Sequence, residues 1–563
     1  MFARRLKQIS RTIQHAQRFR TIVGILYKYG YDDIAQKLHL PDLLGLPTHR
    51  ARAEQEAIRH LPQPERLRRA IEELGPTFVK IGQMLSTRQD VLPEPFNLEL
   101  VKLQDSVAPL PYQEIEAVLR SELKRPLEEI FQSIDPEPLG SASIAQVHCA
   151  RLVSGELVVV KVQRPGIRKV VTEDLEILRY IAGLLESHVE AARIQNPTAL
   201  VDEITKSLEK EIDFAIEAGH IERFAHQFEG DQTLHIPTVY REFTTTSVLT
   251  MEFIDGAKAA QYETSMAGPQ EKAEVARRIA DSVMKQILVH GFFHADPHPG
   301  NIHILRGMTI CFLDFGMMGF LDRRARALFA DLLWGIARRD EASVANCLLR
   351  LSNAESERPR LGLEADVAEL MNLHFYRPLA ELDFGRLIGR LLSLTNKHQL
   401  RIPPDFSMML KALGQMEALV RRLDPKHDLI AQAKPFLRDV RLARLSPKHL
   451  AEGILQFGVD FAEMARELPS EIRKIFNKIL VGEARVVFKH AGLEPLTQAI
   501  ERTSNRLAFA VVLAAQIVGS ALIMHARVPP LWHDVSIIGL LGFLVAALMG
   551  FWLLISILRH GKM

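Results

Sequence analysis

The sequence predicts an α+β protein of two lobes, preceded by a helical extension and followed by a pair of membrane-spanning helices. Three observations predict it. Ile144–Leu152 and Glu156–Gln163 run apolar or alternating around a turn at Gly155, which is the pattern of a β-hairpin. After Gln270 nearly everything to Ile500 carries helical periodicity, apart from loops around residues 291–320. Two apolar runs without charge, Leu507–Met524 and Val535–Leu558, lie near the end of the chain.

Taken in order, the first element is basic. Residues 1–30 hold Arg4, Arg5, Lys7, Arg11, Arg18, Arg20 and Lys28 and no acid, interleaved with Ile9, Ile13, Ile22, Ile25 and Leu26. The unbroken apolar run of a secretory signal is missing after these charges. Three readings fit: an Arg-rich transit peptide, a solvated helix face, or a basic amphipathic helix lying on anionic lipid, which the apolar runs near the other end favour. Residues 31–135 read as a helical extension with Pro-containing breaks, residues 136–256 as a small β-rich lobe, and residues 257–500 as a larger helical lobe. Within the small lobe, Thr238–Glu242 and Ser247–Phe253 read as further strands, and residues 168–228 as helix, with Val201, Ile204, Leu208, Ile212, Ala215 and Ile216 on one face. The apolar runs at 507–524 and 535–558 form the expected transmembrane hairpin, since a bilayer core takes roughly 20 apolar residues as helix. Arg502 and Arg506 before it and Arg559 and Lys562 after it place both termini and the soluble part in the cytoplasm. Trp532 and Trp552 suit interface depth, and neither run holds an ionisable residue that would mark an ion path.

Composition bounds the function. The 563 residues suggest three to four units at about 150 residues each. With 70 basic and 68 acidic residues the net charge is +2, which argues against a nucleic-acid-coating protein. A hydrophobic fraction of 47% excludes a mainly disordered chain. Cys149, Cys311 and Cys347 are too few and too far apart for a disulfide framework or a CxxC metal site, and a reducing compartment is the default.

The chemistry is concentrated in two segments. Asp296 and Asn301 are five apart in His294-Ala-Asp-Pro-His-Pro-Gly-Asn301, and Asp314 opens an Asp-Phe-Gly thirteen residues later, after a strand-like Ile310–Leu313. That is the D-x-x-x-x-N and DFG pair of kinase catalytic loops. Phosphoryl transfer asks a protein for oxygen ligands that hold Mg²⁺ on the phosphates and for a carboxylate that orients the nucleophile. Asn301 and Asp314 suit the first role and Asp296 the second. His294, His298 and His303 read as loop scaffolding, because magnesium prefers oxygen. Upstream, Lys161 ends the β-branched run Val158-Val-Val160, 135 residues before Asp296, where a kinase lysine meets the α- and β-phosphates. Leu249–Gly256, with Glu252 inside it, matches the linker between kinase lobes whose backbone contacts adenine. A kinase Gly-rich loop is replaced by Leu139, Gly140, Ser141, Ala142, Ser143, Ile144, Ala145, Gln146 and Val147, with a single glycine. Together these predict a protein-kinase-like fold.

The chain resembles the UbiB family of atypical kinase-like proteins tied to ubiquinone biosynthesis, over nearly its full length. The resemblance rests on the Ala-rich loop just quoted, Lys80-Ile-Gly-Gln83, Leu103-Gln-Asp105, Glu211-Ile-Asp213, the His294-to-Asn301 loop, Asp314-Phe-Gly and the terminal hairpin. It implies that Leu139–Val147 and Lys161 bind ATP, that Asp296 is the catalytic aspartate, that Asn301 and Asp314 hold Mg²⁺, and that the activity is of ATPase type. It also implies a helix bearing Lys80 and Gln83 packed over the nucleotide cleft, with Lys80 paired to Glu211 or Asp213 in the space a peptide substrate would take. Either Glu211 or Glu217 can partner Lys161. His220 stands where the family pattern usually has Asn. Membrane lipids, quinone precursors and other biosynthetic enzymes are the implied partners, with a homodimer allowed and nucleic acid not expected. The implied location is the bacterial inner membrane. A kinase for a lipid or small molecule, and a pseudokinase scaffold, are the alternative functions.

Overall fold

A computed structural model describes residues 17–31, 58, 60–86, 88, 91–103, 107–188, 196–352, 358–374, 384–398, 400, 402–444, 494–532 and 535–560. Residues 1–16, with Ile9 and Ile13, and Gln104 and Asp105 lie outside them, as do Lys562 and most of 445–500. The chain divides into two units, Met1–Ala451 and Glu452–Met563.

The first unit opens with helix α1 (residues 17–28). Its apolar face is not offered to lipid. Ile22, Ile25 and Tyr29 are buried against α2 (Gln63–Leu74), α3 (Pro76–Leu85) and Leu100 of α4 (Glu94–Leu100). Full burial is worth about 1.5–3 kcal/mol for each isoleucine. Arg18 forks onto fully buried Asp174 at 2.6 and 3.0 Å, and Lys28 pairs with Glu73 at 3.0 Å. Two basic residues of this stretch, Arg18 and Lys28, thus bind protein carboxylates, and Ile22 and Ile25, expected on the lipid-facing side, pack on protein.

Helices α5 (Tyr112–Leu123) and α6 (Leu127–Ile130) lead into a four-stranded antiparallel sheet. Its order is β1 (Phe131–Ser141), β2 (Ala145–Leu152), β3 (Leu157–Gln163) and β5 (Val248–Glu252). Alternation decides its faces. Val158, Val160 and Val162 pack with Ile115, Leu119 and Phe131, whereas Val159 faces the opposite cluster and brings Lys161 to that side. Two expectations need correction. The lobe begins at Phe131, within the span expected to be helical, because β1 is a polar edge strand with Pro136, Pro138 and register shifts that hide its period. Thr238–Glu242 is no strand: only Val239 bridges Met251, and Arg241–Phe243 is a 3₁₀ turn. There the Thr245 hydroxyl accepts from the N–H groups of Ser247 and Val248, giving the backbone a partner outside any ladder.

Helices α7 (Ile167–His188), α8 (Pro197–Glu211) and α9 (Phe214–Gln227) fill the helical stretch between β3 and β5. β4 (Leu234–His235) pairs with a second sheet of β6 (Ala257–Lys258), β8 (Ile302–Ile304) and β9 (Ile310–Phe312). The short α10 (Ala259–Glu263) precedes α11 (Pro269–Met284), which is buried along Val275, Ala276, Ile279, Ala280 and Val283 and continues as a π-helical turn, Lys285–His290. β7 (Phe292–His294) pairs with β10 (Met318–Phe320). Helices α12 (Arg323–Arg338), α13 (Glu341–Leu351), α14 (Arg358–His374), α15 (Phe384–Lys397), α16 (Pro404–Leu423) and α17 (Leu429–Arg444) complete the unit.

The second unit is a helical pair, α18 (Glu494–His525) and α19 (Ile537–His560), joined through the short strands β11 (Leu531–Trp532) and β12 (Val535–Ser536). Gly542 permits close approach: a Cβ there would meet the Ser520 Oγ at 2.1 Å. Of the two expected spans, Leu507–His525 is long and apolar enough to cross a bilayer, whereas the described apolar part of the second, Ile537–Trp552, falls short of that length.

Candidate active site

Lys161 comes from β3 with its neighbours Val160 and Val162 fully buried, so its stem is fixed. Its Nζ donates to both Glu217 oxygens at 2.9 Å and to Asp314 Oδ1 at 3.1 Å, and lies 5.2 Å from the Phe214 ring centre. Glu217 is therefore the partner that the sequence left open between two acids. Burial works to strip the Lys161 proton, but Asp314 and Glu217 outweigh it and raise its pKa. Lys161 in turn holds the Asp314 carboxyl well below the usual range. Glu217 is 3% exposed, and burial pushes its pKa up against the pull of Lys161.

Glu211 serves elsewhere. Lys80, on α3, meets Glu211 Oε1 at 2.8 Å. Asp213, the other expected partner of Lys80, caps α9 by accepting from the Ala215 N–H at 3.0 Å. Gln83 donates to the Leu103 carbonyl at 3.4 Å, and Gly82 lets Leu103 close in, where a Cβ would stand 2.4 Å from its Cδ1. The Lys80–Glu211 pair adjoins the Asp-Phe-Gly: a Cβ on Gly316 would lie 3.9 Å from Glu211 Cγ.

The catalytic loop is braced from three sides. The Gln286 amide oxygen accepts from the His294 N–H. His294 Nδ1 accepts from the Asp296 N–H at 3.2 Å, so the proton sits on Nε2 and is donated to the Leu313 carbonyl at 3.0 Å. Burial lowers the His294 pKa and keeps this neutral tautomer. Asn301 Nδ2 donates to the Asp296 carbonyl at 3.2 Å, which turns its Oδ1 the other way. Asp314 adopts φ 59°, a left-handed backbone uncommon outside glycine and typical of strained functional positions. Its side chain is 55% exposed. Two oxygens, from Asn301 and Asp314, suit Mg²⁺, which takes few protein ligands and completes its shell with phosphate and water. Among the described residues no group of three or more His, Cys, Asp or Glu is arranged to hold a metal.

The Ala-rich loop is partly enclosed. Ser143, Ile144, Ala145 and Gln146 are buried, Ile144 against Ile81 of α3. Gln146 is wholly enclosed, accepting from the Leu110 N–H and donating to the Leu110 carbonyl. The side chains of these four pack inward, which leaves the backbone of the loop as the part that could approach a phosphate. Leu139, Gly140, Ser141, Ala142 and Val147 stay accessible. The Ala142 N–H is engaged with the Ala145 carbonyl at 2.8 Å, and Arg164 donates to the Ala142 carbonyl and the Ser141 hydroxyl. The Glu252 carboxylate contacts His235 and the Thr238 N–H.

Three contributors were not foreseen as site residues. His220 donates from Nδ1 to the Phe315 carbonyl at 3.0 Å, tying α9 to the Asp-Phe-Gly; its unusual identity was the available signal. Lys411 and Gln415 of α16 reach Asp296 Oδ1 at 3.0 and 2.8 Å. A polar pair four apart amid buried Met409, Leu410, Ala412, Leu413 and Met416 was their signal.

The sequence is similar to known families over most of its length. Residues 102–348 match the ABC1 atypical kinase-like domain, 367–428 the UbiB helical domain, and 491–559 the ABC1/UbiB kinase-like C-terminal domain. A Clostridium pasteurianum protein described as uncharacterized, in the hydrogenase 1 5'region, is 32% identical over 89% of this chain and 94% of its own length. A probable protein kinase UbiB of Marinobacter nauticus is 33% identical over 82% of this chain and 86% of its own, and one of Cellvibrio japonicus is 34% identical over 73% and 76%. With a braced D-x-x-x-x-N loop, a Lys161–Glu217 pair and relatives of this similarity along most of its length, the chain belongs to the ABC1/UbiB family of atypical kinase-like proteins.

Proposed function

We propose that the chain is a membrane-anchored atypical kinase or ATPase that uses MgATP in support of ubiquinone biosynthesis. It would act on lipid precursors or on the biosynthetic enzymes from the cytoplasmic face of a bacterial inner membrane. The carrying observation is the contact of Lys161 with both Glu217 and Asp314 in one cleft, a cation poised for phosphate beside an acid poised for Mg²⁺. MgATP would supply the phosphoryl group and screen its charge. Lys161 would donate to the phosphates, Asn301 and Asp314 would hold the metal, and Asp296 would orient the acceptor hydroxyl or water and take its proton. The Lys80–Glu211 pair, which adjoins Gly316, would take room that a peptide acceptor needs, and this supports water or a small acceptor. The relatives named probable protein kinase UbiB and the apolar helix Leu507–His525 support the pathway and the anchor.

The test is to follow γ-labelled MgATP with the full-length protein in anionic vesicles containing polyprenylated phenols. Phosphate released to water, increased by the vesicles, is the expected outcome. Label retained on lipid would make it a lipid kinase, label on an added biosynthetic enzyme a protein kinase, and no turnover at all would leave a scaffold.

A further inference from the structure

Asp296 does not stand in the cleft as an independent base. It is held from the helical segment that follows the kinase-like domain: Lys411 Nζ lies 3.0 Å from Oδ1, and Gln415 Nε2 donates to the same oxygen at 2.8 Å. The two residues are four apart on α16, one turn, and so share a face. That helix is immobilised by Phe406, Met409, Ala412, Leu413 and Met416, all nearly or fully buried. A carboxylate only accepts, so the Gln415 amide is obliged to present its NH₂. Among the described residues its buried Oε1 then has no hydrogen-bond partner.

We propose that Lys411 and Gln415 are positioning residues for phosphoryl transfer: by seizing Oδ1 they fix the rotation of Asp296 and leave Oδ2 for the attacking hydroxyl or water. The helical segment matched at 367–428 thereby becomes part of the catalytic centre. Two donors on one oxygen allow a single orientation of the carboxylate, whereas one donor allows it to turn, and small misplacement of a reacting group lowers the rate without weakening substrate binding. This rests on the phosphoryl-transfer reading above.

The experiment measures phosphate release from MgATP, and MgATP affinity by calorimetry, for the full-length protein in lipid nanodiscs. Lys411→Met keeps the length of the side chain and removes the charge. It should lower kcat by about tenfold or more and change the MgATP dissociation constant by less than about twofold. Lys411→Arg should recover a large part of the rate, since a guanidinium can still reach Oδ1. Gln415→Leu should lose less than Lys411→Met, and the double variant should lose less than the product of the two, because both act through one carboxylate. Wild-type kcat in Lys411→Met would overturn the proposal while leaving the kinase reading intact. So would a loss of affinity that matches the loss of rate, or a lowered melting temperature without recovery in Lys411→Arg. Absence of turnover in the wild-type protein would instead overturn the kinase reading and this proposal with it.

Discussion

Replacing Lys161 with Met removes the ammonium from between Glu217 and Asp314 while keeping the volume of the stem. Asp314 is over half exposed and can be hydrated, but Glu217 is 3% exposed and is left as an uncompensated buried acid. Breaking a buried pair by removing one partner costs about 3–5 kcal/mol. For a domain of about 250 residues that is a fall in melting temperature of about 6–20 °C. The cost depends on pH with a definite sign. Burial raises the Glu217 pKa above 4.5, so the folded state binds a proton that the unfolded state releases. Stability from such a group is fully present below about 4.5 and is lost as pH rises through the raised value, at up to about 1.4 kcal/mol per pH unit. Lys161→Met should therefore lie closer to wild type at pH 5 than at pH 8. Adding Glu217→Gln should restore most of the melting temperature at pH 8 and none of the ATP turnover. The assay is thermal unfolding at the two pH values, paired with phosphate release. An equal deficit at both, or a double variant no more stable than Lys161→Met, would refute the argument.

Asp314→Asn should keep the fold, because Asn tolerates the 59° φ, and should remove most ATP turnover; Asp314→Ala should in addition cost about 1–2 kcal/mol from the left-handed backbone, read by denaturant unfolding. Gly82→Ala puts a methyl 2.4 Å from Leu103 and should destabilise the α3 docking by about 1–3 kcal/mol, seen as faster proteolysis between α3 and α5. Deleting residues 507–558 should release the protein from membranes after a high-salt wash, since the apolar face of α1 is already buried in protein; retention in the membrane after that wash would show a second anchor.

The residues of the candidate site were legible because they are carried by spacing: Asp296, Asn301 and Asp314 sit in two short segments, and Lys161 ends a β-branched strand. What was not legible depends on which face a residue turns. Nothing local distinguishes Ala142, which is accessible, from Gln146, which is enclosed by Leu110 arriving from the segment before α5 and by His148 two residues along its own strand. The partner of Lys161 was open for the same reason. Glu211 ends α8 and Glu217 lies within α9, and only the path between those helices sends the first to Lys80 and the second to Lys161. α1 shows the limit of charge counting, because Asp174, which neutralises Arg18, lies 156 residues away in the chain.

The two margins of the four-stranded sheet deserve comparison. β1 lacks two backbone donors at Pro136 and Pro138 and changes register twice around them, while β5 is capped on its outer side by the contacts of Thr238 and Tyr240 with Glu252 and Thr250. An extended polypeptide that adds itself to a sheet needs an uninterrupted row of donors and acceptors, and neither margin provides one. The lobe is thereby guarded against edge-to-edge growth between copies crowded on a surface. A polypeptide engaged at this lobe would be recognised through side-chain pockets or helix faces, because main-chain zippering onto this sheet is closed to it.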